Sequence, residues 1–306
     1  MNILVITSGK KDYAPTRIMQ EGLKRKHKMH IVHWEDLYIK TGFKDVYVSG
    51  KNISLSHFHA IIPRSAAYKI KLGNQKIPRY NREPLFRLVL QYAQFKKIYF
   101  LNQDFFINYK SGDKLTQQFY FSQKGIPGIS SLYFSNLATV KTKDRLKFPF
   151  IAKPIRGSMG DSLVKVHSRK ELDDFMSRME EQDRSCLFQE YLKINCDYRV
   201  LVVEGVPLGI MKRTPLEKGE WRTNFSLGGK VEKVTEDEAI TKTAIQVAKK
   251  MSFDYVGVDI LKYRGKPHVI ETNSFAQFKG FEKTFPAINV AREIICFLER
   301  KLNKSK

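Results

Sequence analysis

Two carboxylates, Asp259 and Glu271, interrupt the otherwise apolar stretch YVGVDILKYRGKPHVIETNS (255–274). An acid set among Val and Ile needs a partner, because an unpaired buried carboxylate is very costly. The stretch reads as two strands, YVGVDIL and PHVIETN, joined by a turn at YRGKP. Glu271 and Asn273 are two residues apart and so face one side of a strand. A hairpin can bring both to Asp259. Oxygen ligands from carboxylate and amide suit a hard cation, Mg2+ or Mn2+, held partly by substrate phosphates. The competing reading pairs one or both acids with Lys or Arg, which are plentiful here.

A second constellation is FIAKPIRGSMGDSLVKV, where a strand carries Lys153 into a loop with Gly157, Ser158, Gly160 and Ser162. Glycines let backbone N–H groups approach a phosphate closely, and the lysine adds charge. The lysine precedes the glycines, so this is not a Walker loop. An ordinary glycine turn is the alternative. LFQEYL (187–192) reads as an apolar strand entering a polar linker, which could offer backbone groups to a nucleobase or simply be core. The last constellation is cationic: Arg199 in DYRVLV, Lys212 and Arg213 in IMKRT, and Arg222 and Asn224 in WRTNFSLGG. Three arginines on successive strands of one meander could grip phosphoryl oxygens. Singly, each reads as a surface cation.

The elements that must position these residues follow from periodicity. NILVITSG, HKMHIVHW and FHAIIPRS read as strands, with a helix at PTRIMQEGLKRKH. NREPLFRLVLQYAQF is another helix and KIYFLN another strand, which together predict a small parallel sheet with helices on its faces. SGDKLTQQFYFSQKG is a helix capped by Ser111 or Asp113 and stopped by Gly125. Short strands follow at ATVK, FPFIAKP and DSLVKV, then a helix at SRKELDDFMSRMEE. CLFQEYL, DYRVLVVEG and VPLGIMKR read as an antiparallel meander. TEDEAITKTAIQVAKKM is an amphipathic helix, and PAINVAREIICFLERKL closes the chain as another.

The 306 residues, 42% of them hydrophobic, allow two or three subdomains. No apolar run reaches membrane-span length, and the N-terminal segment has its lysines after its apolar stretch, the reverse of a secretory signal. Three cysteines without metal-ligand spacing read as reduced thiols of a cytoplasmic protein. The net charge is +23, and residues 1–100 carry 19 basic against 6 acidic side chains, more than half the excess. Such a field draws polyanions, whether an acidic protein tail or nucleic acid; a solvated basic surface is the bland reading.

Taken in order, DKL (113–115), AKPIRGSMG, QEYL, DYRVLVV, MKR, WRTNFSLGG, VGVDIL and IETNS resemble the motifs of the ATP-grasp ligases. The resemblance is nearest to the RimK-like branch that ligates glutamate to peptide or protein ends. It covers nearly the whole chain, including AIIPRS (60–65), similar to that branch's Ile-Pro-Arg segment. It implies an α/β fold with an α+β lid: an N-terminal pre-ATP-grasp domain over 1–103 with a small parallel sheet, a lid subdomain over 104–192, and a C-terminal subdomain with the metal site over 193–306. Lys114 and Lys153 match the lysines that hold ATP phosphates, and Gly157, Ser158, Met159 and Gly160 the loop over them. Gln189, Glu190, Tyr191 and Leu192 match the hinge that meets adenine, and Asp197 an acid on the ribose side. Arg213, Arg222 and Asn224 match groups around the γ-phosphate and acyl phosphate. Arg64, Arg199 and Lys212 fall on the substrate side. Asp259, Glu271 and Asn273 match ligands of one or two Mg2+ or Mn2+ ions. Two stretches depart from the branch, FSL (225–227) and Asn-Ser-Phe-Ala-Gln (273–277), and both bear on the acceptor.

The implied reaction runs in two steps. A substrate carboxylate takes the γ-phosphate of ATP, giving an acyl phosphate and ADP; an amine then displaces phosphate. The expected partners are an amino acid and an acidic peptide or protein acceptor, with contact to nucleic acid or the ribosome and a dimer or tetramer as further expectations. Two readings compete: a ligase for small molecules or peptide macrocycles, and a nucleic-acid-binding protein that keeps the scaffold without the chemistry.

Overall fold

The computed structural model describes residues 1–8, 12–39, 46–48, 53–64, 71–72, 75–76, 83–109, 113–133, 147–155, 163–180, 185–215 and 229–304. The expected strand ATVK, the glycine loop with Gly157, Ser158, Met159 and Gly160, and both Arg222 and Asn224 lie outside them. The chain divides into two compact units. One comprises Met1–Asp104, Phe253–Tyr255 and Phe275–Lys306; the other comprises Phe105–Ser252 and Val256–Ser274.

The first unit begins with β1 (Asn2–Thr7), α1 (Tyr13–Lys24) and β2 (Lys28–His33). A small antiparallel sheet follows, of β3 (Leu37–Ile39), β4 (Val46–Val48) and β5 (Ile53–Ser54). Then come β6 (Ala60–Pro63), a two-stranded pair β7 (Lys71–Leu72) and β8 (Gln75–Lys76), α2 (Glu83–Phe95) and β9 (Tyr99–Phe100). The main sheet is parallel, in the order β2-β1-β6-β9. Ile3, Leu4, Val5 and Ile6, with Ala60, Ile61 and Ile62, are fully buried. A parallel strand covered on both faces needs such an unbroken apolar run, which is why these segments are readable in the sequence. The small sheet and the β7–β8 pair have strands of two or three residues, too short for a period to show in the sequence.

The second unit takes up most of α3 (Gln103–Tyr109), then α4 (Lys114–Gln123). Asp113 caps α4 by accepting from Thr116 N at 2.8 Å, and Gly125, at φ +58°, ends it. A four-stranded antiparallel sheet has the order β10 (Ser131–Leu132), β13 (Cys186–Glu190), β11 (Phe150–Pro154), β12 (Val164–Val166), with α5 (Arg169–Glu180) between β12 and β13 in sequence. Phe150, Ala152, Cys186 and Phe188 pack with Phe175 of α5.

The second sheet of this unit has the order β16-β15-β14-β17-β18. Its strands are β14 (Asp197–Val203), β15 (Val206–Thr214), β16 (Lys230–Val234), β17 (Tyr255–Tyr263) and β18 (Lys266–Asn273), with α6 (Glu238–Lys250) preceding β17. Strand β16 was not expected from the sequence. Both hairpins close on two residues of positive φ: Glu204–Gly205 at 51° and 76°, and Arg264–Gly265 at 49° and 76°. That is the turn geometry matching strand twist. The second turn therefore lies at Arg-Gly, with Lys266 and Pro267 already paired. The chain returns to the first unit with α7 (Lys279–Thr284) and α8 (Val290–Asn303), which packs on α1.

Among the described residues no helix is long and apolar enough to cross a membrane. The three cysteines are unbridged.

Candidate active site

Alternation on the lid sheet separates its two faces. Phe150 and Ala152 turn toward α5, so Ile151 and Lys153 turn away from it; on β13 the same rule turns Leu187 and Gln189 away. Lys153 is only 3% exposed, and its Nζ donates to Gln189 Oε1 at 2.8 Å. Gln189 in turn donates to Ser131 Oγ at 2.9 Å. Among the described residues no carboxylate contacts the lysine, which the glutamine fixes instead. Burial lowers its pKa to about 8, with Glu271 opposing the shift and Lys114 adding to it. Lys114, Lys153 and Glu271 therefore share one electrostatic neighbourhood.

Helix α4 brings Lys114 there through contacts that no local pattern announces. Gln117 Oε1 accepts from Thr272 N at 2.7 Å and Thr272 Oγ1 at 3.0 Å, while its Nε2 donates to Thr272 O at 3.2 Å. Gln118 donates to Ile270 O at 2.9 Å. The two amides pair with the backbone of edge strand β18 as another strand would, and so fix α4 beside Glu271.

The acids meet because of a bulge. A hairpin closed on Arg264–Gly265 pairs Ile260 with Val269, and continued regularly would set Asp259 against Ile270 and turn Glu271 to the other face. Instead the register shifts between Asp259 and Ile260, Ile270 is left over, and Asp259 stands directly opposite Glu271. The β14–β15 hairpin uses the same device. Its register shifts between Leu201 and Val202, leaving Leu208 unpaired, so that Arg213 rather than Lys212 stands opposite Asp197.

Four charged side chains then interlock. Arg199 Nε and Nη2 each donate to Asp259 at 2.7 Å. Arg213 donates to both oxygens of Asp197 at 2.6 and 2.7 Å and reaches Asp259 Oδ2 at 3.1 Å. Arg213 and Asp259 are each 2% exposed. Burial alone would raise the pKa of Asp259, but the guanidiniums of Arg199 and Arg213 outweigh it and hold the carboxyl below its ordinary value. Burial alone would lower that of Arg213, and Asp259 and Asp197 outweigh it in the other direction. Asp197, placed on the ribose side by resemblance, has both oxygens engaged by Arg213. Arg199 is held on Asp259.

At the end of β13 the hinge residues diverge. Glu190 is exposed and its N donates to Ser130 O at 2.9 Å. The Tyr191 ring lies under Lys165 Nζ, 3.9 Å from the centroid. Leu192 is buried with Ile129 and Leu261, flanked by Ile194, Tyr263 and Ile270. Leu261 is two residues beyond Asp259 on β17, so an apolar patch suited to a flat heteroaromatic ring adjoins the charged one. A cleft of about 360 Å³ bordered by Lys193, Tyr198, Lys262 and Arg264 opens past this hinge and contains none of the expected site residues.

One expected residue lies on the other face of its sheet. Lys212 alternates with Arg213 to the other face of β15, where it pairs with Glu232 at 3.7 Å in the open. Arg64 belongs to the first unit, buried beneath residues 275–276.

The donor set suits a hard cation. Asp259 and Glu271 face each other, and Asn273 Nδ2 lies 3.4 Å from Glu271 Oε1, which leaves the amide oxygen to a metal. Among the described residues Glu271 has no ion pair, and no three His, Cys, Asp or Glu side chains form a cage. Two carboxylates and an amide with coordination to spare is what Mg2+ bound jointly with phosphates requires. Asp259 meets both readings at once. Arginines hold it, yet a carboxylate has about four acceptor positions, more than these three N–H bonds fill.

Comparison with known proteins agrees with this geometry. Residues 113–298 match the model of the RimK-like ATP-grasp domain, and residues 1–82 that of the RimK PreATP-grasp domain. A probable alpha-L-glutamate ligase 1 of Shewanella denitrificans is 28% identical over 314 residues, covering 100% of both chains. Among solved structures, the ATP-grasp ligase PsnB, complexed with a phosphomimetic variant of its minimal precursor, Mg and ADP, superposes at TM-score 0.68 with 19% identity, covering 98% of each chain. The macrocyclase MdnC of Microcystis aeruginosa, bound with a precursor peptide, gives 0.70 with 14% identity over 97% of this chain and 99% of its own. The chain belongs to the RimK-like ATP-grasp family, and with it to the ATP-dependent ligases that form C–N bonds.

Proposed function

We propose that this protein joins a carboxylate to an amine through an acyl phosphate, adding an amino acid such as glutamate to a peptide or protein end in the cytoplasm. The observation that carries this reading is the meeting of Lys153 and Lys114 with Glu271, across the hairpin from Asp259. Lys153 is buried on a glutamine rather than on a carboxylate, and Glu271 has no ion pair among the described residues, an arrangement that suits phosphates and a cation. The 28% identical probable glutamate ligase supports the choice of amino acid.

Lys153 and Lys114 would hold ATP phosphates, with Gln189 keeping the Lys153 ammonium in place. Leu192, Leu261 and Ile129 would enclose the adenine, with backbone groups of Glu190 to Leu192 reading its edge. Asp259, Glu271 and Asn273 would hold one or two Mg2+, or Mn2+, whose charge offsets that of the transferring phosphoryl group. Arg213, locked by Asp197, places a fixed positive charge beside Asp259 before substrate arrives. Such preorganisation is what phosphoryl transfer asks of a protein. We assign the loop at Gly157–Gly160, Arg222 and Asn224 to the phosphates and acyl phosphate by family resemblance. By the same resemblance we keep 1–103, 104–192 and 193–306 as the functional divisions. The basic first hundred residues suit an acidic acceptor, and a dimer or tetramer suits the family.

The test is ADP release with Mg2+, ATP and pools of amino acids, with and without acidic peptides, using Asp259→Asn/Glu271→Gln as the inactive control. Release that needs one amino acid plus a peptide and vanishes in the control supports the reading; no release from the wild type under any pool removes it. A second reading, cross-linking of side chains within one peptide, draws on the fold shared with PsnB and MdnC and on the departure at residues 273–277. Mass spectrometry separates the two: a cross-link loses water from the peptide, whereas ligation adds a residue.

A further inference from the structure

Asp259, the acid at the centre of the charged cluster, is largely engaged within the protein. Arg199 Nε donates to its Oδ1 and Arg199 Nη2 to its Oδ2, each at 2.7 Å, and Arg213 Nη2 reaches Oδ2 at 3.1 Å. A carboxylate offers about four acceptor positions, two on each oxygen. Both positions on Oδ2 are taken, and one on Oδ1 remains. Asp259 can therefore give a metal one bond, through Oδ1, without releasing either arginine.

The two arginines differ in what else they hold. Arg213 has Asp197 as its own counter-charge, at 2.6 and 2.7 Å. Among the described residues the ion pair of Arg199 is with Asp259. Arg213 and Asp197 thus cancel each other, and Arg199 cancels Asp259. That leaves Glu271 against both Lys153 and Lys114. Lys153 counts as a cation at pH 7, since its pKa is lowered only to about 8. Four cations (Lys114, Lys153, Arg199, Arg213) then stand against three carboxylates (Asp197, Asp259, Glu271), an excess of one positive charge. Lys233 adds to it from the edge strand. Arg199 pairs with Met211 and Met211 with Lys233, so alternation puts this exposed lysine on the same face of the sheet.

This balance bears on how a metal arrives. Mg2+ dehydrates reluctantly and is ordinarily held by one or two carboxylates together with phosphates. A net positive neighbourhood sharpens that dependence. It repels a bare divalent ion and attracts a nucleotide, whose phosphates carry more negative charge than one such ion carries positive.

We propose that Arg199 gates the metal: held on Asp259, it keeps the site cationic, so that a divalent ion enters only together with nucleotide phosphates. This rests on the metal reading above. It gives Arg199 a role toward the cation in place of the substrate-side role that resemblance suggests. A glutamine at 199 would leave Asp259 to Arg213 and bring the excess to zero. A unit charge about 6 Å from a divalent ion changes its affinity about tenfold even at the dielectric constant of water.

The experiment is retention of Mn2+ with the protein on ultrafiltration, with and without ADP, for wild type, Arg199→Gln, Arg199→Lys and Lys153→Met. Wild type should retain Mn2+ with ADP and bind it at least tenfold more weakly without. Arg199→Gln should bind Mn2+ without nucleotide about tenfold more tightly than wild type does. Arg199→Lys keeps the charge and should behave as wild type. A merely structural role for Arg199 would weaken metal binding in both variants and strengthen it in neither. Should circular dichroism show Arg199→Gln unfolded, Lys153→Met lowers the same count by one and must gain Mn2+ in the same way. Equal retention by wild type with and without ADP, or no gain in the variants, would overturn the gate and leave the metal reading standing. No retention by wild type even with ADP would remove the metal reading, and the gate with it.

Discussion

Arg213 makes the sharpest demand on the structure. Its guanidinium serves Asp197 with two bonds and Asp259 with a third, all out of water. Arg213→Met keeps the volume and removes the charge, taking both guanidinium bonds from Asp197 and leaving Asp259 to Arg199. Breaking one partner out of a buried ion pair costs about 3–5 kcal/mol. For a unit of this size, with about 2–4 °C of midpoint per kcal/mol, that is a fall of about 6–20 °C. The pH dependence separates this cause from lost packing. Asp259 has a depressed pKa in the folded protein, so its pairing stabilises above the unfolded carboxyl value and is lost as pH falls through the folded one. The deficit of the variant should therefore be full at pH 7 and shrink toward about pH 3, below the ordinary aspartate value of 3.8, where the wild-type pairing is itself being lost. Thermal unfolding followed by circular dichroism at both pH values reads this directly. A midpoint within about 2 °C of wild type at pH 7, or a deficit that does not change with pH, would refute the network as drawn.

Other outcomes follow from the same geometry. Lys153→Met should abolish ADP release yet raise stability at pH 7 by about 1–3 kcal/mol, since a buried charge gives way to an apolar chain. The sign follows from the lowered pKa: the folded protein sheds this proton near pH 8 and the unfolded chain near 10.5, so wild type gains stability across that interval and the gap closes. Gln117→Ala leaves Thr272 N without its acceptor and should cost about 1–3 kcal/mol in denaturant unfolding. It should also raise the KM for ATP, because Lys114 rides on the same helix. Stimulation of ADP release by acidic peptides should weaken steeply between 50 and 500 mM salt if the basic N-terminal region steers them. An unchanged stimulation would remove that role.

The strands of the first sheet were legible because a parallel, doubly covered strand must be apolar throughout, and Ile3–Ile6 and Ala60–Ile62 are. Helices α4 and α6 announced themselves through Asp113 and period, though at α6 the cap is Asp237, which accepts from Ile240 N at 3.1 Å. Lys153 and Gln189 were each legible as site candidates, but not as partners, since 36 residues separate them in sequence. Lys212 could have been set aside from sequence alone. It neighbours Arg213 on a strand, and period two forbids both from facing one site. Arg199 and Asp259 are 60 residues apart and meet only because β14 and β17 are neighbours in the sheet, which no local pattern encodes. Gln117 was overlooked because a glutamine doublet in a helix reads as solvent-facing until an edge strand is found beside it.

The two bulges explain why spacing alone could not settle what Asp259 and Glu271 do. A regular two-residue hairpin would have put the two acids on opposite faces, one toward the arginines and one away. An extra residue at Ile270 turns Glu271 to the side of Asp259, and an extra residue at Leu208 sets Arg213 against Asp197. The first bulge brings together the residues proposed to hold a metal, and the second fixes the guanidinium that holds one of them. The two readings left open by the sequence, metal or arginine, are therefore not exclusive. Arginine holds Asp259 in place and charged, and Glu271, with no ion pair among the described residues, supplies the vacancy in charge that a divalent cation would fill. It follows that deleting Ile270 should remove the bulge and leave Glu271 next after Val269, still directly opposite Asp259. Such a variant would still form the hairpin on Arg264–Gly265, keep its Arg199–Asp259 pair, and keep the Mg2+ dependence of nucleotide binding. If nucleotide affinity in the deletion variant no longer rose with Mg2+, the facing of the two acids would not be enough to assemble the site.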